Sequence, residues 1–222
     1  MKIVLFGATG MVGQGVLREC LLDPSVTSVL TVGRAPTGQR DEKLRELTHG
    51  DFTDLTAIEK EFADADACLF CLGVSSVGMS EADYRHATYD LALAAGQAFA
   101  RQAPGSTFVY VSGAGTDSTG RGRSMWARVK GETENALIAL PFTAYAARPG
   151  FIQPMHGIRS KTRLYRALYA AAGPLILLLR KAFPRLVITT EEFGRAMVRV
   201  AREGAPKRVL EMADLTALGR AR

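Results

Sequence analysis

Short, continuously apolar runs alternate along this chain with segments whose apolar residues recur at helical spacing. The first run is KIVLF (2–6); a helical stretch follows over 11–22, and SVLTV (28–32) is the second run, which makes a strand, helix, strand beginning. The same alternation predicts strands over 45–49, 67–72, 107–112, 142–147 and 208–212. It predicts helices over 54–63, 81–103, 124–139, 161–172, 174–183 and 190–203. Strands this apolar are buried on both sides, so the expected fold is α/β: a mainly parallel sheet with helices on both faces. No segment repeats at a fixed period and no low-complexity linker divides the chain, so a single domain over 1–222 is expected.

Composition changes this picture little. A length of 222 residues suits one α/β domain, and 47% hydrophobic with 23% charged residues is ordinary for a folded globular chain, which excludes a disordered or fibrous class. The net charge of +6 comes from basic residues interspersed with acids except around 159–185, so no specific nucleic-acid role is expected. Three cysteines, an odd number, point to a reducing compartment, and the cytoplasm is the expected location. Cys68 and Cys71 form a C-x-x-C within a strand, where residues three apart face opposite sides, so both are expected as core residues. The apolar stretch at the amino end is four residues long and runs into glycine, unlike a signal peptide. His49, His86 and His156 have no ligand-like spacing with acids or cysteines, so no metal is expected.

The candidate chemistry begins at FGATGMVGQG, which follows the first strand and opens the first helix. Gly7, Gly10 and Gly13 stand in the spacing G-x-x-G-x-x-G. Such glycines permit a tight turn, close approach of main chain to a pyrophosphate, and close packing of helix on strand. Unpaired N–H groups at Thr9, Gly10, Met11 and Val12, with the positive end of the helix dipole, make an anion site and point to a dinucleotide. At the end of the second strand, where an acid would hold the adenosine 2′-hydroxyl of NAD, the sequence TVGRAP supplies Arg34 instead. A guanidinium there suits a 2′-phosphate, so NADP(H) is the expected cofactor. In GDFTD, Asp51 beside Phe52 has two readings: an acceptor for the adenine amino group, or a cap for a helix starting near Asp54.

The ordered set GATGMVG, GDFTD, VYVSGAG, W-x-x-x-K and ARPG resembles the short-chain dehydrogenase/reductase superfamily. The resemblance is narrower to its atypical branch of NAD(P)-binding, epimerase-like and NmrA-like proteins, and it covers residues 1 to about 155. It implies a Rossmann-type doubly wound sheet with the cofactor cleft along the carboxyl ends of the strands. Carried over position by position, it implies Gly7, Gly10 and Gly13 for the pyrophosphate, Arg34 for the 2′-phosphate and Asp51, with Phe52 next to it, for adenine. Leu72 and Gly73 fall beside the adenosine ribose, Ser112 at the catalytic serine, Lys130 at the catalytic lysine, and Arg148, Pro149 and Gly150 near the nicotinamide.

The chain departs from that family at one place. The family carries Tyr-x-x-x-Lys on a helix, the two residues sharing one face; here the tyrosine position is Trp126. An indole N–H donates a hydrogen bond but supplies no usable acid or base near neutral pH. Lys130 is then expected on the cofactor ribose and Trp126 in the wall of the substrate pocket; the plainer readings are a surface lysine facing Glu134 and a core tryptophan. Ser112, Tyr84, Tyr89 and His86 are the candidates to replace the phenol, and Tyr110 is expected in the core. Two functions compete: an NADP(H)-dependent oxidoreductase or epimerase-like enzyme of an unknown small molecule, and a non-catalytic NADP(H)-binding sensor or assembly factor.

Beyond residue 155 the pattern predicts a small helical region. Over 156–187 basic residues flank a run of 13 uncharged ones (167–179), too short to span a bilayer, which takes roughly 20 residues. A lid over the cleft or an interface between protomers is expected there, with weak membrane-surface contact through 164–183 as the third reading. TTEEFGRAMVRVA (189–201) reads as a capped amphipathic helix.

Overall fold

The computed structural model describes residues 1–158 and 187–221. Its strands are β1 (Lys2–Phe6), β2 (Ser28–Gly33), β3 (Leu44–Thr48), β4 (Ala67–Phe70), β5 (Thr107–Val111), β6 (Thr143–Ala147), β7 (Phe151–Gln153), β8 (Val187–Thr189) and β9 (Val209–Leu210). Seven of them form one wholly parallel sheet in the order β3-β2-β1-β4-β5-β6-β9, and β7 pairs with β8 in a small parallel ribbon. This is the doubly wound Rossmann-type architecture. The chain runs outward from β1 through β2 to β3, then crosses back to β4 on the other side of β1. Strand order therefore reverses between β1 and β4, the place where such sheets open a crevice at their carboxyl ends. Phe6 is in register with both Val32 and Phe70, so β1, β2 and β4 end close together along one edge of the sheet.

Helices α1 (Met11–Leu22), α2 (Glu81–Arg85), α3 (Leu91–Gln102), α4 (Met125–Ile138), α5 (Thr190–Glu203) and α6 (Met212–Arg220) cover the sheet. The side chains divide into two cores, as alternation along buried strands requires. Ile3, Leu5, Val16, Leu17, Phe193 and Met197 fill the face under α1 and α5. Val4, Phe6, Phe70, Phe99 and Phe108 fill the opposite face, with the rings of Phe108 and Phe142 stacked 5.0 Å apart. Cys68 belongs to the second core and Cys71 borders the first, so the two thiols lie on opposite sides of the sheet.

Several elements differ from the sequence pattern. The helix expected over 54–63 shrinks to one 3-10 turn, Glu59–Phe62. Asp51 and Asp54 each hold the N–H and hydroxyl of the threonine two residues on, at 2.6 to 2.9 Å, and such Asx turns compete with helical bonding. The helix expected over 81–103 is interrupted by a π turn, His86–Asp90, between α2 and α3. Tyr84 and Thr88 are buried there, whereas Tyr89 lies beneath the Arg85 guanidinium. The last strand is only two residues long, because Glu211 and Asp214 cap each other's backbone N–H groups and start α6, which the pattern missed. Thr189 and Glu192 form the same reciprocal cap on α5, where it was expected. The lid, interface and membrane-surface expectations fall almost entirely within 159–186, outside the described residues. Among those described, no helix is long and apolar enough to cross a membrane.

Candidate functional site

The loop between β1 and α1 is built by glycine. Gly7 adopts φ of +80°, and a Cβ there would lie 2.6 Å from the Cys71 carbonyl carbon; one on Gly13 would lie 2.0 Å from the Gly7 oxygen. Strand, loop and helix thus approach more closely than any side chain allows. Gly10 is the N-cap of α1, with extended backbone, its N–H bonded to the Gly7 carbonyl at 2.9 Å. No side chain caps this helix and no acid stands in its first turn. Its amino end, with N–H groups left over and a positive dipole, opens on a cavity of about 520 Å³. Thr9, Gly10, Met11 and Val12 form one wall of that cavity; Leu72, Gly73, Val74 and Ser75 form another, and Ser112 and Lys130 stand at the far end. The charged side chains in its wall among the described residues are Arg34 and Lys130, both cations. This arrangement fits a diphosphate.

A second cavity of about 190 Å³ continues the first, sharing Gly7, Thr9, Arg34 and Leu72 with it. It lies over the ends of β2 and β3 and is closed by Phe52, whose ring meets Phe6 edge-on at 6.2 Å. Arg34 is exposed at the junction, and no carboxylate among the described residues pairs with it. Glu46, which sequence reading missed, also lines this cavity. Its carboxylate accepts from the Thr37 N–H at 2.5 Å and the Thr37 hydroxyl at 3.1 Å, pinning the loop after Arg34. The signal for it was register: Glu46 sits opposite Thr31, three residues before Arg34. Asp51 does not reach the cavity wall. It is exposed and its carboxylate is held by Thr53, a hydrogen bond that also lowers its pKa. Of the pair, Phe52 is the one brought to the groove.

At the far end, Ser112 follows β5 and is buried, its N–H bonded to the Ala147 carbonyl. The Ser112 hydroxyl lies 3.0 Å from that of Thr116, and Thr116 donates its own proton to the Gly113 carbonyl at 2.8 Å. Ser112 is therefore the donor of that pair, and its proton is already used. Lys130 reaches from α4 to the end of β5, where Nζ lies 3.3 Å from the Val111 carbonyl, 3.4 Å from the Tyr110 hydroxyl and 5.2 Å from the Tyr110 ring centre. Burial pulls its pKa down to about 8, opposed by the charge of Glu134 one turn on. Glu134 itself is fully buried and serves Arg148: the guanidinium donates to its two oxygens at 2.9 and 2.5 Å, and to Glu211 at 3.0 Å.

Arg148, expected near the nicotinamide, spends its guanidinium on Glu134 and Glu211. Its fork is occupied in tying the end of β6 to α4 and to the start of α6. Pro149 and Gly150 are likewise absent from the cavity walls among the described residues; the Pro149 carbonyl accepts from Ala114 N–H, and Gly150 N–H meets the Met212 sulfur. Trp126 is half-buried, its ring edge where a Cβ on Gly113 or Gly115 would meet it at 3.9 or 3.6 Å, so it lies beside the loop after β5 and is not among the residues that line the described cavity. His86 bonds Asp90 on the exposed side, and Tyr84 is buried, its pKa raised by that burial. Neither they nor Tyr89 lines the groove among the described residues.

Comparison with known proteins agrees with this geometry. Residues 3–148 match the NAD dependent epimerase/dehydratase family. Over the whole length, the chain is 27% identical to Protein fmp52-2, mitochondrial, of Aspergillus oryzae, with 97% of this chain and 96% of that one covered. Among solved structures, a UDP-glucose 4-epimerase superposes with a TM-score of 0.70 at 16% identity, over 98% of this chain and 80% of that one. The Bordetella bronchiseptica enzyme WbmF in complex with NAD+ superposes with a TM-score of 0.67 at 16% identity, over 97% and 76%. At such identities these two likenesses speak for the fold alone.

Proposed function

This chain belongs to the NAD dependent epimerase/dehydratase family, and from that premise we propose that it binds NADP(H) and works as an oxidoreductase on a small molecule. One observation carries the reading. A continuous groove runs from Arg34, past the uncapped amino end of α1, to Lys130, and the charges along its larger cavity are both positive. A dinucleotide carrying a diphosphate and a 2′-phosphate matches that sequence of features. Gly7, Thr9, Gly10, Met11, Val12 and Gly13 would hold the diphosphate by main chain, and Arg34 the 2′-phosphate. Phe52 and Leu72 would flank the adenosine, with Gly73 beside its ribose. Lys130 would meet the nicotinamide ribose. Bound there, the cofactor supplies hydride transfer.

The test is calorimetry of the purified protein with each of the four pyridine nucleotides. NADPH and NADP+ are expected to bind more tightly than NADH and NAD+. Equal affinity for both pairs removes the role given to Arg34, and no heat from any of them overturns the whole reading. A sensor is favoured by two observations: Trp126 in the tyrosine position, and a Ser112 proton already committed to Thr116. It predicts tight nucleotide binding without NADPH oxidation in the presence of aldehydes, ketones, quinones or sugars. As to compartment, the Aspergillus relative is named mitochondrial, which does not fit a plain cytoplasmic assignment. We propose a reducing compartment, since Cys20, Cys68 and Cys71 are all free.

A further inference from the structure

The proposed reaction needs a group that gives a proton to the substrate oxygen, and Trp126 cannot be that group. We propose that Lys130 itself performs the acid–base step, with Tyr110 as the residue that positions it; this rests on the oxidoreductase reading above. Three observations on geometry converge. First, Ser112 has spent its one proton on Thr116, so toward the cavity it offers only an acceptor. Second, Lys130 lines the same cavity and has three N–H bonds as an ammonium, of which the Val111 carbonyl and the Tyr110 hydroxyl take two. Third, no carboxylate among the described residues holds it, because Glu134, the acid one helical turn away, is clamped by Arg148. A lysine tied to an acid would keep its proton; among the described residues this one is held by neutral acceptors and a ring face.

In the reducing direction a Lys130 N–H bond breaks as the O–H bond of the product forms. The ammonium becomes a neutral amine and recovers its proton from water. In the oxidising direction the amine takes the hydroxyl proton. The electron pair that reduces the carbonyl carbon is the cofactor's contribution. The groups that govern this proton come from every side. Tyr110 and Ser112 face it from β5, Glu134 from its own helix, Arg148 from β6 through Glu134, and Arg34 across the cavity; Tyr84 stands behind Tyr110. The depressed Lys130 pKa of about 8 agrees with the geometry, for it is set near a working pH.

The experiment needs no known substrate. In protein labelled with 13C and 15N at lysine, the signal missing from Lys130→Arg identifies Lys130, and its titration is followed without nucleotide. It is expected near 8, against about 10.4 for ordinary lysines, and lower still in Tyr110→Phe, which removes an acceptor that favours the ammonium. A Lys130 that titrates with the ordinary lysines, or is unmoved in Tyr110→Phe, overturns the assignment. A second arm follows NADPH oxidation with a panel of aldehydes, ketones, quinones and sugars. Lys130→Arg keeps the charge but cannot release a proton, so turnover at saturating NADPH should fall at least about 100-fold. Undiminished turnover in Lys130→Arg overturns the proposal, as does wild-type protein that binds NADPH but turns over nothing in the panel. Failure of NADPH to bind at all would instead sink the reading of the groove, whatever the titration shows.

Discussion

Two alanine substitutions in one loop should separate what the glycines do for the fold from what they do for the ligand. In Gly13→Ala the new methyl would stand 2.0 Å from the Gly7 oxygen and 2.6 Å from its carbon. Both are backbone atoms, pinned by the pairing of β1 on either side, so no side chain can yield and α1 must move outward by more than 1 Å, since ordinary contact begins near 3.4 Å. Overpacking of this kind costs about 1–3 kcal/mol, and the upper end applies where backbone meets backbone. Alanine regains about 1 kcal/mol of helix propensity. The net expectation is a loss of about 2 kcal/mol in urea unfolding, together with loss of nucleotide binding as the helix end shifts. Gly10→Ala differs: its φ of −78° is open to any residue, and the nearest obstacle is the Gly7 oxygen at 3.3 Å. Stability should change by less than about 1 kcal/mol. The methyl nevertheless enters the groove where the diphosphate is proposed to lie, and NADPH affinity by calorimetry should fall at least about tenfold, or roughly 1.4 kcal/mol. Gly13→Ala with wild-type stability, or Gly10→Ala with wild-type affinity, would refute the reasoning.

Three further outcomes are expected. Arg34→Ala should weaken NADPH by about 10- to 100-fold, the worth of a charge-assisted pair at about 1.5–3 kcal/mol, and leave NADH unchanged, as measured by calorimetry. Arg148→Met leaves the Glu134 carboxylate buried without its partner, so urea unfolding should show a loss of about 3–5 kcal/mol, partly recovered when Glu134→Leu is added. Lys130→Met should be more stable than wild type at pH 7, by about 3 kcal/mol at most. The unfolded chain binds the Lys130 proton up to its ordinary range, whereas the folded chain releases it near 8. Between these values the unfolded state holds more protons, wild-type stability rises with pH, and the advantage of Lys130→Met should shrink from pH 8 to 10. A constant gap across that range would contradict the burial assigned to Lys130.

The parts legible in the sequence are those written in short-range pattern. KIVLF and SVLTV read as buried strands because every residue after the leading Lys2 and Ser28 is apolar or β-branched, and their parallel pairing followed from the helix between them. The tight turn and close packing of the glycine loop were legible because its spacing and its place after β1 are local facts. The Thr189 cap read because its partner Glu192 is three residues away, and the equivalent signal at Glu211 and Asp214 was present but passed over. What stayed hidden depends on partners far along the chain. Arg148 follows β6, and its ion-pair partners Glu134 and Glu211 lie 14 and 63 residues away, beyond the reach of any local pattern. Glu46 lines the smaller cavity because β3 pairs with β2 in one register; a shift of one residue would turn it to the other face.

These hidden partners bear on why the groove carries net positive charge. Acids stand on the elements around it, and each is engaged elsewhere: Glu46 by Thr37, Asp51 by Thr53, Glu134 by Arg148. Arg148 neutralises Glu134 and Asp51 stays outside the cavity walls, while Glu46 remains in the wall of the smaller cavity, so composition alone could not show where the charges lie. Arg34 and Lys130 are left facing the cavity with no carboxylate pairing among the described residues. For Lys130, half-buried, that arrangement costs folding free energy and is visible in its lowered pKa. An anionic ligand placed between the two cations would offset the cost. The protein should therefore unfold at higher temperature with NADPH, and a nucleoside lacking phosphates should give no such shift at equal concentration. Equal stabilisation by adenosine and by NADPH would mean that the cations are incidental, and that burial of the base alone directs binding.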